Sequence, residues 1–162
     1  MDTLSHYLWV VALYWQHPKR WIIGLFGALP DLLSFGPHIV ESLFAGTLGR
    51  PELHTIPDYV FVMYDLTHSL VVFAVVALVL WFAARDWFWL IWGWALHILI
   101  DIPTHSAEFF PTPFLWPISD FMIDGISWGV VWFMIMDVTL LVAVYTWLVM
   151  RKQRQNIISS RT

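Results

Sequence analysis

The sequence predicts an all-α, polytopic membrane helix bundle, and three observations lead to this fold class. Of the 162 residues, 59% are hydrophobic and only 12% are charged. The mean hydropathy of +0.69 is high for a water-soluble domain. Twelve tryptophans and twelve phenylalanines suit the aromatic rings that anchor helices at a lipid interface. Because a spanning helix takes about 20 residues, we predict about five helices in a single transmembrane domain over 1–162.

Each predicted helix is an apolar run, and turn-forming residues separate it from the next run. Pro18 ends the first helix and suits the opening turn of the second, where a missing N–H costs nothing. Only Arg85 separates the third helix from the fourth, so these two form a tight antiparallel hairpin. The five helices cover about 3–16, 21–35, 58–84, 86–106 and 125–150.

Two loops and a tail complete the predicted bundle. Glycines and prolines break the apolar pattern over about 36–57, where a short interfacial helix has room. Further prolines punctuate a second loop over about 107–124, and the tail over 151–162 is polar and frayed. No removable signal peptide is recognised, so we expect the first helix to stay in the mature protein.

The positions of the basic residues predict the orientation, because short cytoplasmic loops are enriched in lysine and arginine. Seven of the eight fall on one side of the five-span topology, namely Lys19, Arg20, Arg85, Arg151, Lys152, Arg154 and Arg161. Only Arg50 falls on the other side. We therefore predict a cytoplasmic C-terminus and an external N-terminus, with both proline-rich loops outside, in a prokaryotic inner (plasma) membrane.

Composition also limits the partners. The chain has no cysteine, so a bound metal must be held by histidine, carboxylate, carbonyl or water. A formal charge of −4 without a basic face makes nucleic acid an unexpected partner. The bilayer is the expected partner, and the sequence leaves the oligomeric state open.

Ionisable side chains within the predicted helices are the candidate functional residues, since each costs about 2.5–3.5 kcal/mol to insert into a membrane. All but Asp137 lie in the outer half or the middle of the predicted bundle. Asp137 lies within a helix and is expected to form a structural hydrogen bond across the bundle. The eight residues are His6, Asp31, Asp65, His68, His97, Asp101, His105 and Asp137.

Helical spacing brings these side chains to similar depths. His97, Asp101 and His105 are four residues apart and share one helix face, and Asp65 and His68 are three apart on another. Asp31 and His6 each lie eleven residues from the inner turn, a rise of about 16 Å. A lone histidine usually forms only a hydrogen bond, but a buried set of histidines and carboxylates must be paired or coordinated. The pattern predicts one shared divalent metal site, most simply zinc, with manganese or iron as alternatives.

Three motifs occur in a characteristic order: Gly27-Ala28-Leu29-Pro30-Asp31, then Thr67-His68-Ser69-Leu70, then His97-Ile98-Leu99-Ile100-Asp101, with Pro117 later. Together they resemble the membrane-bound metal-dependent hydrolases of the YdjM type. The His-x-x-x-Asp element is also similar, more weakly, to the zinc-ligand helix of zinc-dependent phospholipase C. The resemblance implies that Asp31, His68, His97 and Asp101 are metal-site residues.

The resemblance and the polar cluster together suggest hydrolysis of an ester or phosphodiester bond, in a lipid or lipid-linked substrate. His6 is expected as an additional ligand, Asp65 as a general base or a partner that orients His68, and His105 as a catalytic residue or further ligand. One alternative is a non-catalytic membrane subunit with a structural metal or hydrogen-bond cluster. A small ion transporter is less favoured, because only Asp137 offers an ionisable group towards the inner half.

Overall fold

The computed structural model describes residues 1–47, 49 and 53–159, and this part of the chain confirms the all-α prediction. It contains no β-strand, only an isolated bridge between Ser106 and Phe109. The α-helices are α1 (Thr3–Leu13), α2 (Arg20–Ser34), α3 (Gly36–Ala45), α4 (Asp58–Thr67), α5 (Leu70–Ala83), α6 (Arg85–Leu90), α7 (Trp92–Thr104) and α8 (Val131–Ser159), with a short 3₁₀ helix at Leu53–Thr55.

Asp2 caps the start of helix α1, because its carboxylate accepts hydrogen bonds from the backbone N–H groups of Leu4 and Ser5 at 3.1 and 3.0 Å. It then packs along α2, and a glycine in α2 makes the close approach of the two helices possible. A Cβ atom on Gly27 would lie 2.7 Å from Cγ2 of Val10, so no larger residue fits there without a shift. Helix α1 therefore lies directly beside the part of α2 that ends in Asp31.

The contact between α2 and α7 is closer still. A Cβ atom on Gly93 would lie 2.0 Å from the carbonyl oxygen of Ile23 and 3.0 Å from the backbone nitrogen of Gly27. Small residues at such positions allow two helix backbones to touch. As a result, a side chain on α7 can reach the backbone of α2 directly.

Two of the predicted helices are wrong because the chain bends where we expected a continuous helix. The predicted helix over 58–84 is two helices, α4 and α5, bent by 58° at His68 and Ser69. The predicted helix over 86–106 divides into α6 and α7 at Ile91. The segment over 36–57, where a short helix had room, contains helix α3, which continues α2 at an angle of 54°.

The last helix differs from the prediction at both of its ends. The chain from 105 to 130 is irregular, so the predicted loop over 107–124 is longer than expected, and α8 begins at Val131 rather than at 125. Helix α8 continues to Ser159, so most of the tail that we expected to be frayed is helical. Arg50 and Arg161, which entered the orientation argument, lie outside the described residues.

Length and composition alone make α8 able to cross a membrane. Up to three spans result if the bent pairs α2–α3 and α4–α5 each count as one, whereas α1 is a shorter apolar helix. Large apolar side chains are exposed along these elements, and Phe82 at 79% is an example on α5. The five-span topology, its orientation and the inner-membrane location stay predictions.

Candidate metal centre

Four of the predicted residues converge on one point. Asp31 comes from α2, His68 from the break between α4 and α5, and His97 and Asp101 from α7. Each offers one ligand atom, these atoms all lie within 4.8 Å of one another, and all four residues are buried. This group can hold a metal ion.

The distances suit ligands arranged around a single centre. Nε2 of His97 lies 3.0 Å from Nε2 of His68 and 3.0 Å from Oδ2 of Asp101, which is 3.6 Å from Nε2 of His68. Oδ1 of Asp31 lies 3.6 Å from Nε2 of His68 and 3.8 Å from Nε2 of His97. In a tetrahedral site with metal–ligand bonds of about 2.0–2.2 Å, neighbouring ligand atoms are about 3.3–3.6 Å apart.

Backbone carbonyls determine which nitrogen of each histidine faces this point. Nδ1 of His97 lies 2.7 Å from the carbonyl oxygen of Gly27, and Nδ1 of His68 lies 3.1 Å from that of Tyr64. A carbonyl oxygen can only accept, so each Nδ1 carries the proton and donates, and each Nε2 presents a lone pair. Metal-binding histidines are held in the same way.

The centre therefore has more acceptors than donors. Two Nε2 lone pairs face each other at 3.0 Å beside two carboxylates. Oδ2 of Asp101 is buried and has no hydrogen-bond partner in the described part of the chain. Buried groups of this kind are costly unless they are paired or coordinated, and a cation would satisfy all of them at once.

The Thr67-His68-Ser69 element explains the break in the helix that positions His68. Ser69 caps α5, because its hydroxyl oxygen accepts from the N–H groups of Val71 and Val72, both at 3.1 Å. His68 ends α4 in a non-helical conformation. His68 is therefore the last residue whose backbone N–H bonds within α4, to the carbonyl of Tyr64 at 2.9 Å, and the chain turns into α5 directly after it.

Hydrogen bonds tie α2 to α4 at the level of Asp31. The Ser34 hydroxyl donates to the carbonyl of Pro30 at 2.8 Å and lies 2.9 Å from Oγ1 of Thr67. Both Ser34 and Thr67 are buried. This contact holds the end of α2, and with it the Asp31 carboxylate, against the residue that precedes His68.

The second oxygen of Asp101 belongs to a separate hydrogen-bond network. Oδ1 accepts from Nε2–H of His6 at 2.9 Å and from the amino group of Met1 at 2.6 Å. The His6 ring also packs on the His97 ring, with centroids 3.7 Å apart. The structure thus places His6, predicted as a ligand, as a partner that orients Asp101 and supports His97.

His105 lies at the C-terminal end of α7, beside the four converging residues. Its Nδ1–H donates to the carbonyl of Phe110 at 2.7 Å, so its Nε2 carries a lone pair, 3.4 Å from Oδ1 of Asp101. The loop before α8 holds this end of α7, because the N–H of Gly125 donates to the carbonyl of His105 at 2.8 Å. In the structure this lone pair accepts from the amino group of Met1 at 3.1 Å.

Asp65 lies apart from the centre. It is half-buried, and no hydrogen bond or ion pair joins it to another residue among those that the structure describes. Its role as a general base or as a partner that orients His68 stays a prediction.

Tyr64 is a site residue that the sequence reasoning missed. Its ring stacks on the His68 ring, with centroids 3.8 Å apart, and its carbonyl accepts from His68 Nδ1–H. Its hydroxyl donates to the carbonyl of Phe110 at 2.8 Å and lies 3.1 Å from Nδ1 of His105. The signal was present in the sequence, because an aromatic residue four positions before a histidine in a helix contacts it.

A cavity of about 720 Å³ adjoins the centre. Asp31 and His105 both line it, whereas His68, His97 and Asp101 are fully buried behind them. Its wall is largely apolar and aromatic, with a few hydroxyl groups. The other lining residues include Phe35, Ile39, Ser42, Thr47, Thr55, Phe109, Phe110 and Trp128.

The geometry thus defines a candidate metal centre with one side towards a cavity. No family model, curated protein or solved structure matches this chain. The resemblance to YdjM-type hydrolases stays a prediction from the motifs.

Proposed function

We propose that the protein is a membrane-embedded, metal-dependent hydrolase that cleaves an ester or phosphodiester bond in a lipid or lipid-linked substrate. One observation carries the proposal: a centre with an excess of acceptors, built from two imidazoles and two carboxylates, adjoins an apolar cavity through Asp31. The order of the three motifs, which resembles that of YdjM-type hydrolases, supports it.

The apolar surface supports the membrane part of the proposal. On α5, Val75, Leu78 and Val79 are 59%, 60% and 58% exposed, and α8 carries similar residues along its length. Exposed apolar surface of this extent would be unfavourable in water, at about 25 cal/mol per Å². In a bilayer the same side chains contact lipid, and the ionisable residues are collected in the interior.

Nitrogen and oxygen ligands without sulfur suit zinc, with manganese or iron as alternatives. A divalent cation would supply positive charge that polarises the ester or phosphoryl oxygen and lowers the pKa of a water molecule towards about 7. Within the chain, Asp31 is the ligand on the cavity side, where a substrate can approach. The hydrogen bonds that the histidines donate to the Gly27 and Tyr64 carbonyls keep both Nε2 atoms directed at the centre.

His105 is the proposed base. In the reaction, the oxygen of a water molecule forms a bond to the phosphorus or carbonyl carbon, and the bond to the leaving oxygen breaks. One proton of the water passes to Nε2 of His105 and then to the leaving oxygen, while the other dissociates from the product acid. The Phe110 carbonyl holds Nδ1–H, so Nε2 is the accepting atom, and it would take the proton of the water in place of its hydrogen bond from the Met1 amino group. Oδ1 of Asp101, at 3.4 Å, would stabilise the protonated ring.

The cavity is consistent with an amphiphilic substrate. A volume of about 720 Å³ lies in the usual range for small-molecule sites. Phe35, Ile39 and Trp128 provide an apolar wall for a chain, and hydroxyl groups provide hydrogen bonds for a headgroup. Helix α3 forms part of the wall and exposes Phe44 by 87% on another side, as expected of a helix at the lipid interface.

The test is to purify the protein in lipid nanodiscs, measure its metal content by elemental analysis, and assay phospholipid and p-nitrophenyl phosphodiester or ester hydrolysis. We expect stoichiometric divalent metal and hydrolysis that a chelator abolishes. Replacing the base, His105→Ala, should leave the metal bound and lower kcat by about 10²–10⁴-fold.

Two results would contradict the proposal. Stoichiometric metal without hydrolysis of any of these substrates would make the centre structural. Hydrolysis that persists at the same rate after chelation and in His105→Ala would place the activity elsewhere, or in a contaminant.

A further inference from the structure

A second cavity, of about 520 Å³, lies between the C-terminal end of α1 and the second half of α8. None of the described residues lines both this cavity and the one beside the metal centre. In the predicted topology it lies at the cytoplasmic end of the bundle, near the basic turn that contains Lys19 and Arg20. It is therefore independent of the proposed hydrolytic site.

The lining of this second cavity combines aromatic rings with cationic and polar groups. Trp15 and Trp147 contribute indole rings, and His17 and Arg151 contribute the groups that suit an anion. Among the described residues that line it, none is an aspartate or glutamate. An anionic group would thus meet no opposing carboxylate in the wall.

Local contacts orient the cationic groups. The Arg151 guanidinium lies over the Trp147 ring, 5.3 Å from its centroid, which restricts the side chain to the cavity wall. Nδ1 of His17 accepts from the backbone N–H of Lys19 at 3.1 Å, so the neutral ring carries its proton on Nε2 as a donor. Arg20 lies over the Trp15 ring at 4.9 Å and adds positive charge behind the wall.

We propose that this cavity binds the anionic headgroup of a phospholipid, with the phosphate on Arg151 and His17 and the glycerol region on the aromatic rings. Basic pockets between helices on the cytoplasmic side are suited to anionic headgroups, and tryptophan suits the headgroup level of the bilayer. The acyl chains would follow the apolar surface of α8, on which Val149 and Met150 are 43% and 46% exposed.

The experiment compares Arg151→Gln with Arg85→Gln in the full chain. Arg85 is a matched control because it is also exposed and stacks on a tryptophan, Trp81, at 4.7 Å, yet it does not line the cavity. Native mass spectrometry of protein from nanodiscs that contain phosphatidylglycerol and phosphatidylcholine counts the lipids retained. We expect retained phosphatidylglycerol in the wild type and in Arg85→Gln, and about tenfold weaker retention in Arg151→Gln.

Additional variants and a phosphate competition distinguish headgroup binding from a folding defect, from general surface charge and from binding of free phosphate. Arg151→Lys keeps the charge and should keep most of the retention, which also shows that loss in Arg151→Gln is not a folding defect. Equal losses in Arg151→Gln and Arg85→Gln would reduce the effect to general surface charge and overturn the proposal. Displacement of the lipid by inorganic phosphate alone would make this a site for free phosphate, which also overturns it. Metal content is measured in the same samples. A lack of bound metal would contradict the proposed hydrolytic function but would leave the result for lipid binding unaffected.

Discussion

Asp137 and Asp101 are both buried aspartates, but their surroundings provide hydrogen-bond donors very differently. Oδ1 of Asp137 accepts from the indole N–H of Trp9 at 2.7 Å, and its Oδ2 lies 2.6 Å from the Ser5 hydroxyl. Asp101 has donors at Oδ1 only, and its Oδ2 faces the Nε2 lone pairs of His68 and His97. The single Ser5 O–H is shared between Oδ2 of Asp137 and Oδ2 of Asp2, which lies 2.7 Å from the same hydroxyl. Oδ2 of Asp101 has no donor at all among the described residues.

The two buried carboxylates, Asp137 and Asp101, therefore take different roles. Asp137 joins α8 to α1, which agrees with the structural role predicted for it. At the metal centre the neighbouring acceptors exceed the donors, so a cation completes the arrangement. The number of donors within reach, more than burial itself, separates a helix connector from a candidate ligand.

Removing a ligand should give the largest effect. His97→Ala deletes one Nε2 and exposes the Gly27 carbonyl to an unfilled space, so we expect the stoichiometric metal of the wild type to be lost. Elemental analysis after dialysis measures it. Asp137→Asn is the control, since it alters a buried carboxylate outside the centre and should keep the metal. Full metal content in His97→Ala would contradict the proposed ligand set.

A smaller effect is expected from a residue that only orients a ligand. His6→Ala removes the 2.9 Å hydrogen bond to Oδ1 of Asp101 and the ring packed on His97. Loss of such a supporting partner typically weakens metal affinity by about 10–100-fold. Competition with a chromogenic chelator would measure the affinity. Complete loss of metal would instead indicate that His6 binds the metal directly, and no change would rule out its orienting role.

The smallest expected effect concerns the connector between α1 and α8. Asp137→Ala removes the acceptor of the Trp9 N–H, whereas the Ser5 O–H can keep its hydrogen bond to Asp2. Leaving a buried donor unmet costs about 1–3 kcal/mol, so the free energy of unfolding should fall by that amount. Chemical denaturation in detergent measures it, with metal affinity unchanged. A decrease in metal affinity would show that the two regions are coupled.

Helical periodicity was sufficient to place His97 and Asp101 side by side but not to give the helix ends. His97 and Asp101 share a face because four residues make about one helical turn, and this local rule holds on α7. The predicted continuous helix over 58–84 was wrong, because Ser69 starts a new helix by capping α5. A serine after a histidine was visible in the sequence, but an apolar run of this length favoured one continuous helix.

The sequence by itself determined the all-α class, the excess of apolar side chains and the short set of ionisable residues that need partners, since these follow from composition and helical spacing. Only the tertiary structure decided which of them meet. The close approach of α2 and α7 at Gly93 brings the Gly27 carbonyl to Nδ1 of His97. A backbone carbonyl is present at every residue, so its position leaves no trace in the sequence, although it directs the Nε2 lone pair of His97 to the centre.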